Sequence, residues 1–280
     1  MTISRDSKEL PDLRFVPTSA LILHEDCDPR RVERLVERLR HDGCLKNPPV
    51  VAPIEGTDQY VVLDGANRTS ALQAMGVPHA LVQVVDYHSP QVELCTWYHL
   101  VAGMPKEEFL RAVEAIPGLH LEVSSLEEAR LALDVGQAAA YIVCADAVYQ
   151  VRNSHLFLDD LGLLNQLVAC YRGRATIYRA SNDLFEKQVP YYKDVIALVA
   201  FPRYTPEQIV ELARNGGKVP SGITRHIIPH RALRVNIPLT MLEGAQSLEE
   251  KNAWLEEWFR DKMAQDAIRF YSEPVFLFDE

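Results

Sequence analysis

The stretch Tyr60-Val-Val-Leu-Asp64-Gly65-Ala-Asn67-Arg68-Thr69-Ser70-Ala-Leu-Gln-Ala-Met75-Gly76 constrains the fold more than any other part of the chain. Tyr60 to Leu63 is a short run of β-formers without the charges of its flanks, and it reads as a buried strand. Asp64 and Gly65 follow at once. Ala71, Leu72 and Met75 then recur at helical spacing, and Gly76 with Pro78 supplies the expected stop. The stretch is therefore a strand, a tight turn and a helix, with a carboxylate at the strand tip. A helix N-terminus offers unpaired N–H groups and partial positive charge, which suits a phosphate. Arg68 adds a forked cation, and Thr69 and Ser70 add hydroxyls. The plainer alternative is that Asp64 and Asn67 only cap the helix.

At 280 residues the chain can bury a large core, and two domains are favoured over one. The apolar share of 48% and the charged share of 24% are those of an ordinary soluble protein. No apolar run reaches transmembrane length and no leader pattern opens the chain, so a cytoplasmic protein without a membrane partner is expected. Five scattered cysteines without a C-x-x-C pair argue against a disulfide framework or a structural zinc site. A net charge of −10 argues against a general nucleic-acid binder.

Further elements follow in chain order. Residues 1–10 are polar and expected to fray, and residues 14–17 form a first strand. Leu21-Ile-Leu delivers His24, Glu25 and Asp26 into a loop, and Asp28-Pro29 reads as N-cap and N1 of a helix closed by Gly43. Strands are expected at 50–52 and 80–85. Beyond a boundary near Gly103-Met-Pro105, helices at 105–115, from Ser125, at 156–170 and from Thr205 alternate with strands at 119–123, 140–144, 147–151 and 194–201. A helix over 247–266 closes the chain.

Glu25 and Asp64 both sit where an apolar segment enters a loop, and a carboxylate so placed can act as a general base; each taken alone is more often a surface acid or a cap. Lys46-Asn47 before Pro48-Pro49 gives a fixed cation and amide, though a loop lysine is usually just solvated. Thr224-Arg225-His226 after Gly222 would grip a phosphate or carboxylate, or else form an ordinary strand edge. Trp97 would wall a small pocket or pack in the core. No Walker A, kinase glycine loop, G-x-S-x-G or H-E-x-x-H pattern is present. These residues alone leave a phosphate-binding or carboxylate-based enzyme.

Asp64-Gly65-Ala-Asn67-Arg68 resembles the D-G-x-[HN]-R box of the ParB/sulfiredoxin superfamily. Leu23-His24-Glu25, Asp28-Pro29-x-Arg31-Val32-Glu33, Asp42-Gly43-x-Leu45-Lys46-Asn47-Pro48-Pro49, the run from Phe201 to Glu207 and the run from Gly222 to Pro238 are similar to the free L-serine kinases of that superfamily, which include ADP-dependent archaeal and ATP-using bacterial enzymes. The resemblance touches both ends of the chain and leaves 105–195 weakly marked. It implies an α+β protein with a ParB/sulfiredoxin-like nucleotide-binding catalytic domain over 1–103. A second mixed α/β domain over 104–280 would contribute substrate-binding residues, with the active site in the cleft between them.

The implied reaction is phosphorylation of free L-serine to O-phospho-L-serine by ADP or ATP with Mg²⁺, feeding cysteine or a siderophore precursor. Carried over, Glu25 deprotonates the serine hydroxyl, and Asp64 is a second essential carboxylate near that hydroxyl and the metal. Lys46, Asn47, Gly65, Asn67, Arg68 and Thr69 form the nucleotide and phosphate set. Trp97 lines the serine pocket, and Thr224, Arg225 and His226 bind serine's carboxylate or the transferred phosphate. Asn67 departs from the His of many such boxes, which removes an ionisable group but not a polar one. The box alone also fits a ParB-like nucleotide-dependent DNA-binding transcriptional regulator, against which the acidic balance and the lack of a clear helix-turn-helix with a basic recognition helix both weigh. A sulfiredoxin-like reductase would need a reactive cysteine in the box, and none is there.

Overall fold

A computed structural model describes residues 10–153 and 161–271. The segments 1–9, 154–160 and 272–280, and with them the start of the helix expected at 156–170, lie outside the described residues. The chain forms two compact units, both discontinuous in sequence: residues 1–22, 27–91 and 228–280 make the first, and residues 23–26 and 92–227 make the second.

The first unit opens with β1 (Asp12–Pro17) and β2 (Leu21–Leu23). Helix α1 (Pro29–Asp42) starts as expected, with the Asp28 carboxylate accepting from Arg30 N–H, Pro29 in the first turn and Gly43 left-handed at the end. Then come β3 (Cys44–Leu45), β4 (Val50–Pro53), β5 (Tyr60–Asp64), α2 (Ala66–Ala74) and β6 (His79–Val84). A mixed five-stranded sheet runs β1-β6-β4-β5-β2, in which β4 lies parallel to β6 and antiparallel to β5. Val51, Val61, Val62, Leu72, Leu81 and Val82 are buried, so the apolar run of β5 and the inner face of α2 meet in this unit's core.

In the second unit β7 (Glu93–Thr96), β8 (Tyr98–Ala102), α3 (Lys106–Glu114), β9 (Leu119–Ser124), α4 (Leu126–Asp134), β10 (Ala140–Val143) and β11 (Val148–Asn153) are followed by α5 (Leu161–Ala169), β12 (Thr176–Ala180), α6 (Phe185–Gln188), β13 (Val195–Ala200), α7 (Pro206–Arg214) and β14 (Thr224–Ile227). An antiparallel six-stranded sheet runs β12-β8-β13-β10-β11-β9. Its strands alternate: Val101, Ile142, Ala197 and Val199 pack with α3 and α5 on one face, and Leu100, Tyr141, Leu198 and Ala200 pack with α4 and α6 on the other. The divide between the units thus falls at 91/92, where a boundary at 103/104 was expected, because β8 is an interior strand of this sheet and β7 pairs with β14.

The chain then returns to the first unit through β15 (Ile237–Pro238), which pairs with β3, and through α8 (Leu239–Glu243) and α9 (Leu248–Ala264). The side chain of Asn252 on α9 accepts from Phe15 N–H at 2.9 Å and donates to Phe15 C=O at 3.1 Å, closing the open edge of β1. Among the described residues no helix is long and apolar enough to cross a membrane.

Candidate active site

The D-G box stands at the tip of β5 in the first unit. Gly65 takes φ +93°, and a Cβ there would lie 2.9 Å from Arg68 Nη2 and 3.1 Å from Pro49 Cα, so only glycine fits both the turn and the approach. Gly65 is the N-cap of α2, and no side chain caps that helix, which corrects the alternative in which Asp64 or Asn67 serves as cap. Asp64 Oδ2 instead accepts from Arg68 Nη2 at 2.7 Å and from Arg231 Nη2 at 2.5 Å. Asn67 Oδ1 accepts from Asp28 N–H at 3.3 Å. Partial burial pushes the Asp64 carboxyl up, but the charges of Arg68 and Arg231 outweigh it and hold the group below its ordinary range. The first turn of α2 therefore presents its N–H groups beside two guanidinium groups.

Within the box, Arg68 Nε is buried without a hydrogen-bond partner. Thr69 is fully buried and its Oγ1 is likewise unpartnered, so the box's outward hydroxyl is not this one. Lys46 Nζ reaches Asp42 at 3.0 Å. Asn47 Oδ1 accepts from Arg234 N–H at 2.8 Å, so the amide holds a loop. That loop carries Arg231, which is absent from the sequence-derived set. Gln83, 2% exposed on β6, brackets it, donating to His230 C=O at 3.0 Å and accepting from Ala232 N–H at 2.9 Å. No local pattern marks Arg231; its partner Asp64 lies 167 residues away.

A second cluster lies in the other unit. The backbone of His24 to Asp26 is bonded to Val219, with Val219 N–H to His24 C=O at 2.8 Å and Asp26 N–H to Val219 C=O at 2.9 Å. This fixes the half-buried Glu25 opposite Thr224. Thr224 N–H donates to Glu25 Oε1 at 3.2 Å, and the Thr224 hydroxyl donates to the same oxygen. His24 Nε2 lies 2.9 Å from that hydroxyl, which is left to accept from it, and the His226 ring stands edge-on to His24 at 5.5 Å. Pairing of β14 with β7 sets Arg225 opposite Cys95, and its guanidinium lies 4.4 Å from the centre of the Trp97 ring. His24 thus joins the cluster, although sequence reasoning had used it only as part of a motif.

The expected residues are accordingly brought together in two groups. Lys46, Asn47, Asp64, Gly65, Asn67, Arg68 and Thr69 belong to the first unit; Glu25, Trp97, Thr224, Arg225 and His226 belong to the second. A groove of about 550 Å³ between β1 and α9 contains none of them.

No family model matches the chain. It is 26% identical over 274 residues to the ATP-dependent L-serine kinase SbnI of Staphylococcus aureus, covering 96% of this chain and 97% of that one. Over 239 residues it is 24% identical to the ADP-dependent L-serine kinase SerK of Thermococcus kodakarensis, covering 82% of this chain and 93% of that one. Among solved structures, a C-terminally truncated SbnI from Staphylococcus aureus matches with a TM-score of 0.72 at 22% identity, covering 92% of this chain and 98% of that one. A free serine kinase in complex with AMP matches at 0.71 and 21%, covering 83% and 94%. The chain is thus related along most of its length to proteins named as L-serine kinases and shares their α+β fold. A ParB-like protein of Sulfolobus acidocaldarius is 31% identical over only 90 residues, 32% of this chain and 43% of that one.

Proposed function

We propose that the protein is a kinase for free L-serine, using ADP or ATP to form O-phospho-L-serine, and that its relationship to L-serine kinases over nearly the whole chain is matched by the chemistry of its two clusters. The observation that carries this reading is Glu25, a carboxylate held by the N–H and hydroxyl of Thr224 within the motif that the resemblance marks. Glu25 takes the proton from the serine hydroxyl. The serine oxygen then forms a bond to the terminal phosphorus of the donor, the bond from that phosphorus to its bridging oxygen breaks, and the shortened nucleotide leaves.

Arg225, restrained against Trp97, pairs with serine's carboxylate, for which a planar fork is suited. Trp97 walls the pocket, and Thr224 and His226 complete the acceptor side. On the donor side, the open first turn of α2, the Gly65 backbone, Asn67, Arg68 and Arg231 grip the phosphates, while Lys46 and Asn47 support that face. The donor set belongs to the first unit and the acceptor set to the second.

Among the described residues no group of three or more His, Cys, Asp or Glu side chains could hold a metal ion. Mg²⁺ carried in on a nucleotide's phosphates needs only one or two protein carboxylates, so Asp64 would hold it and Glu25 would stay free as the base. Such an ion would neutralise charge on the donor.

The test is phosphoserine formation from free L-serine and Mg²⁺ with ADP, ATP and CTP supplied separately. Product with ADP or ATP is expected; absence of product with every donor would overturn the reading. The short match to a ParB-like protein favours a second reading, a nucleotide-dependent DNA-binding regulator, which would show as a salt-sensitive shift of duplex DNA at low protein concentration.

A further inference from the structure

Just ahead of Thr224, three consecutive carbonyl groups are each held from a different place in the second unit. Arg172 Nη2 donates to Ser221 C=O at 3.3 Å, His99 Nε2 to Gly222 C=O at 3.2 Å, and Trp97 N–H to Ile223 C=O at 2.8 Å. The middle clasp is the buried one. His99 is 2% exposed, and its Nδ1 lies 2.8 Å from the hydroxyl of Tyr171, which is 0% exposed. A carbonyl can only accept, so Nε2 carries the hydrogen and Nδ1 accepts from the phenol. The ring is further wedged edge-on against Phe201 at 4.9 Å. Gly222 takes φ +82°, and a Cβ there would collide with the guanidinium of Arg179, the residue paired with His99 across β8 and β12. One cross-strand pair therefore meets Gly222 on its carbonyl and on its Cα.

We propose that His99, oriented by Tyr171, is a positioning residue for the acceptor cluster: its Nε2–H pins the Gly222 carbonyl and so sets where Thr224, Arg225 and His226 present their polar groups. The identity of the acceptor rests on the kinase reading; the positioning rests on the hydrogen-bond geometry. Burial, with the charges of Arg179 and Arg172, pushes His99 down to about 3 against the opposing pull of its bond to Gly222, so the ring is a neutral donor at working pH and does not exchange protons with substrate.

Two measurements test this. In ¹⁵N histidine spectra of the wild-type protein, His99 should show a fixed Nε2–H tautomer, unchanged from pH about 8 to about 5, where an ordinary histidine titrates. Titration in that range, or the Nδ1–H tautomer, would overturn the proposal whether or not any variant folds.

In kinetics, His99→Leu should raise KM for serine about ten-fold or more while nucleotide affinity stays within about two-fold, and His99→Gln, which can return an N–H donor, should recover most of the loss. An unchanged serine KM, an equal loss of nucleotide affinity, or no recovery by glutamine would also overturn it. A wild-type protein that makes no phosphoserine would sink the kinase reading instead, and the spectra would still decide the orientation.

Discussion

Asp64 accepts from Arg68 four residues away and from Arg231 across 167 residues. Asp64 thereby holds both guanidinium groups together, which in the proposed donor site spares a phosphate from gathering them. Replacing Arg231 by Ala should weaken nucleotide binding by about 10- to 100-fold, as loss of a charged hydrogen bond does, and calorimetric titration would show it. An unchanged affinity would remove Arg231 from the donor site. Glu25→Gln keeps the shape of the side chain and removes the proposed base, so turnover should fall on the order of 10² to 10⁴-fold with nucleotide affinity retained. Gly65→Ala meets both a positive φ and the Arg68 guanidinium, so it should lower stability and nucleotide affinity together. The placement of Asp64, Gly65 and Arg68 at a strand tip and helix start was readable in the sequence because strand, turn and helix follow one another without a break. Arg231 was not, since only the fold brings it to Asp64. Nor was the inward aim of Thr69, because a first-turn side chain faces core or solvent according to what packs against it.

At the scale of elements, the helix starts were the most readable features. Asp28-Pro29, Ser125 with Glu128, and Thr205-Pro206 with Gln208 each form the cap their residue types promise, because capping is decided within a single turn. Strand β12 has no counterpart among the expected elements: only Ala180 of its five residues is buried, so no apolar alternation marks it, and its place comes from pairing with β8. The edge of the first sheet is met by a side chain at a place where another strand could pair. Asn252→Ala would strip both bonds from Phe15 and should cost about 1–3 kcal/mol, read as a lower denaturation midpoint. An unchanged midpoint would mean that water replaces the amide without loss.

For the whole molecule, the buried His99 links folding to pH. Its ordinary value is 6.5 and the fold lowers it to about 3, so between these values the unfolded chain binds a proton that the native one refuses. Stability should be fully present above pH 6.5 and fall on acidification, by about 1.4 kcal/mol per pH unit from this group. Asp64, held low by its arginines, acts in the same direction at lower pH. Denaturant midpoints at pH 7 and 5 would show the loss, and His99→Gln should flatten it. The two-unit organisation was expected from length, but its interleaving was not, since long-range pairing such as β7 with β14 leaves no mark at the point of crossing. The polypeptide passes between units at 22/23, 26/27, 91/92 and 227/228, and Glu25 rides on the four-residue excursion 23–26. Such a path cannot be made by joining two finished modules end to end. A crossover at any one of these four junctions would divide the segments of at least one unit between two parents.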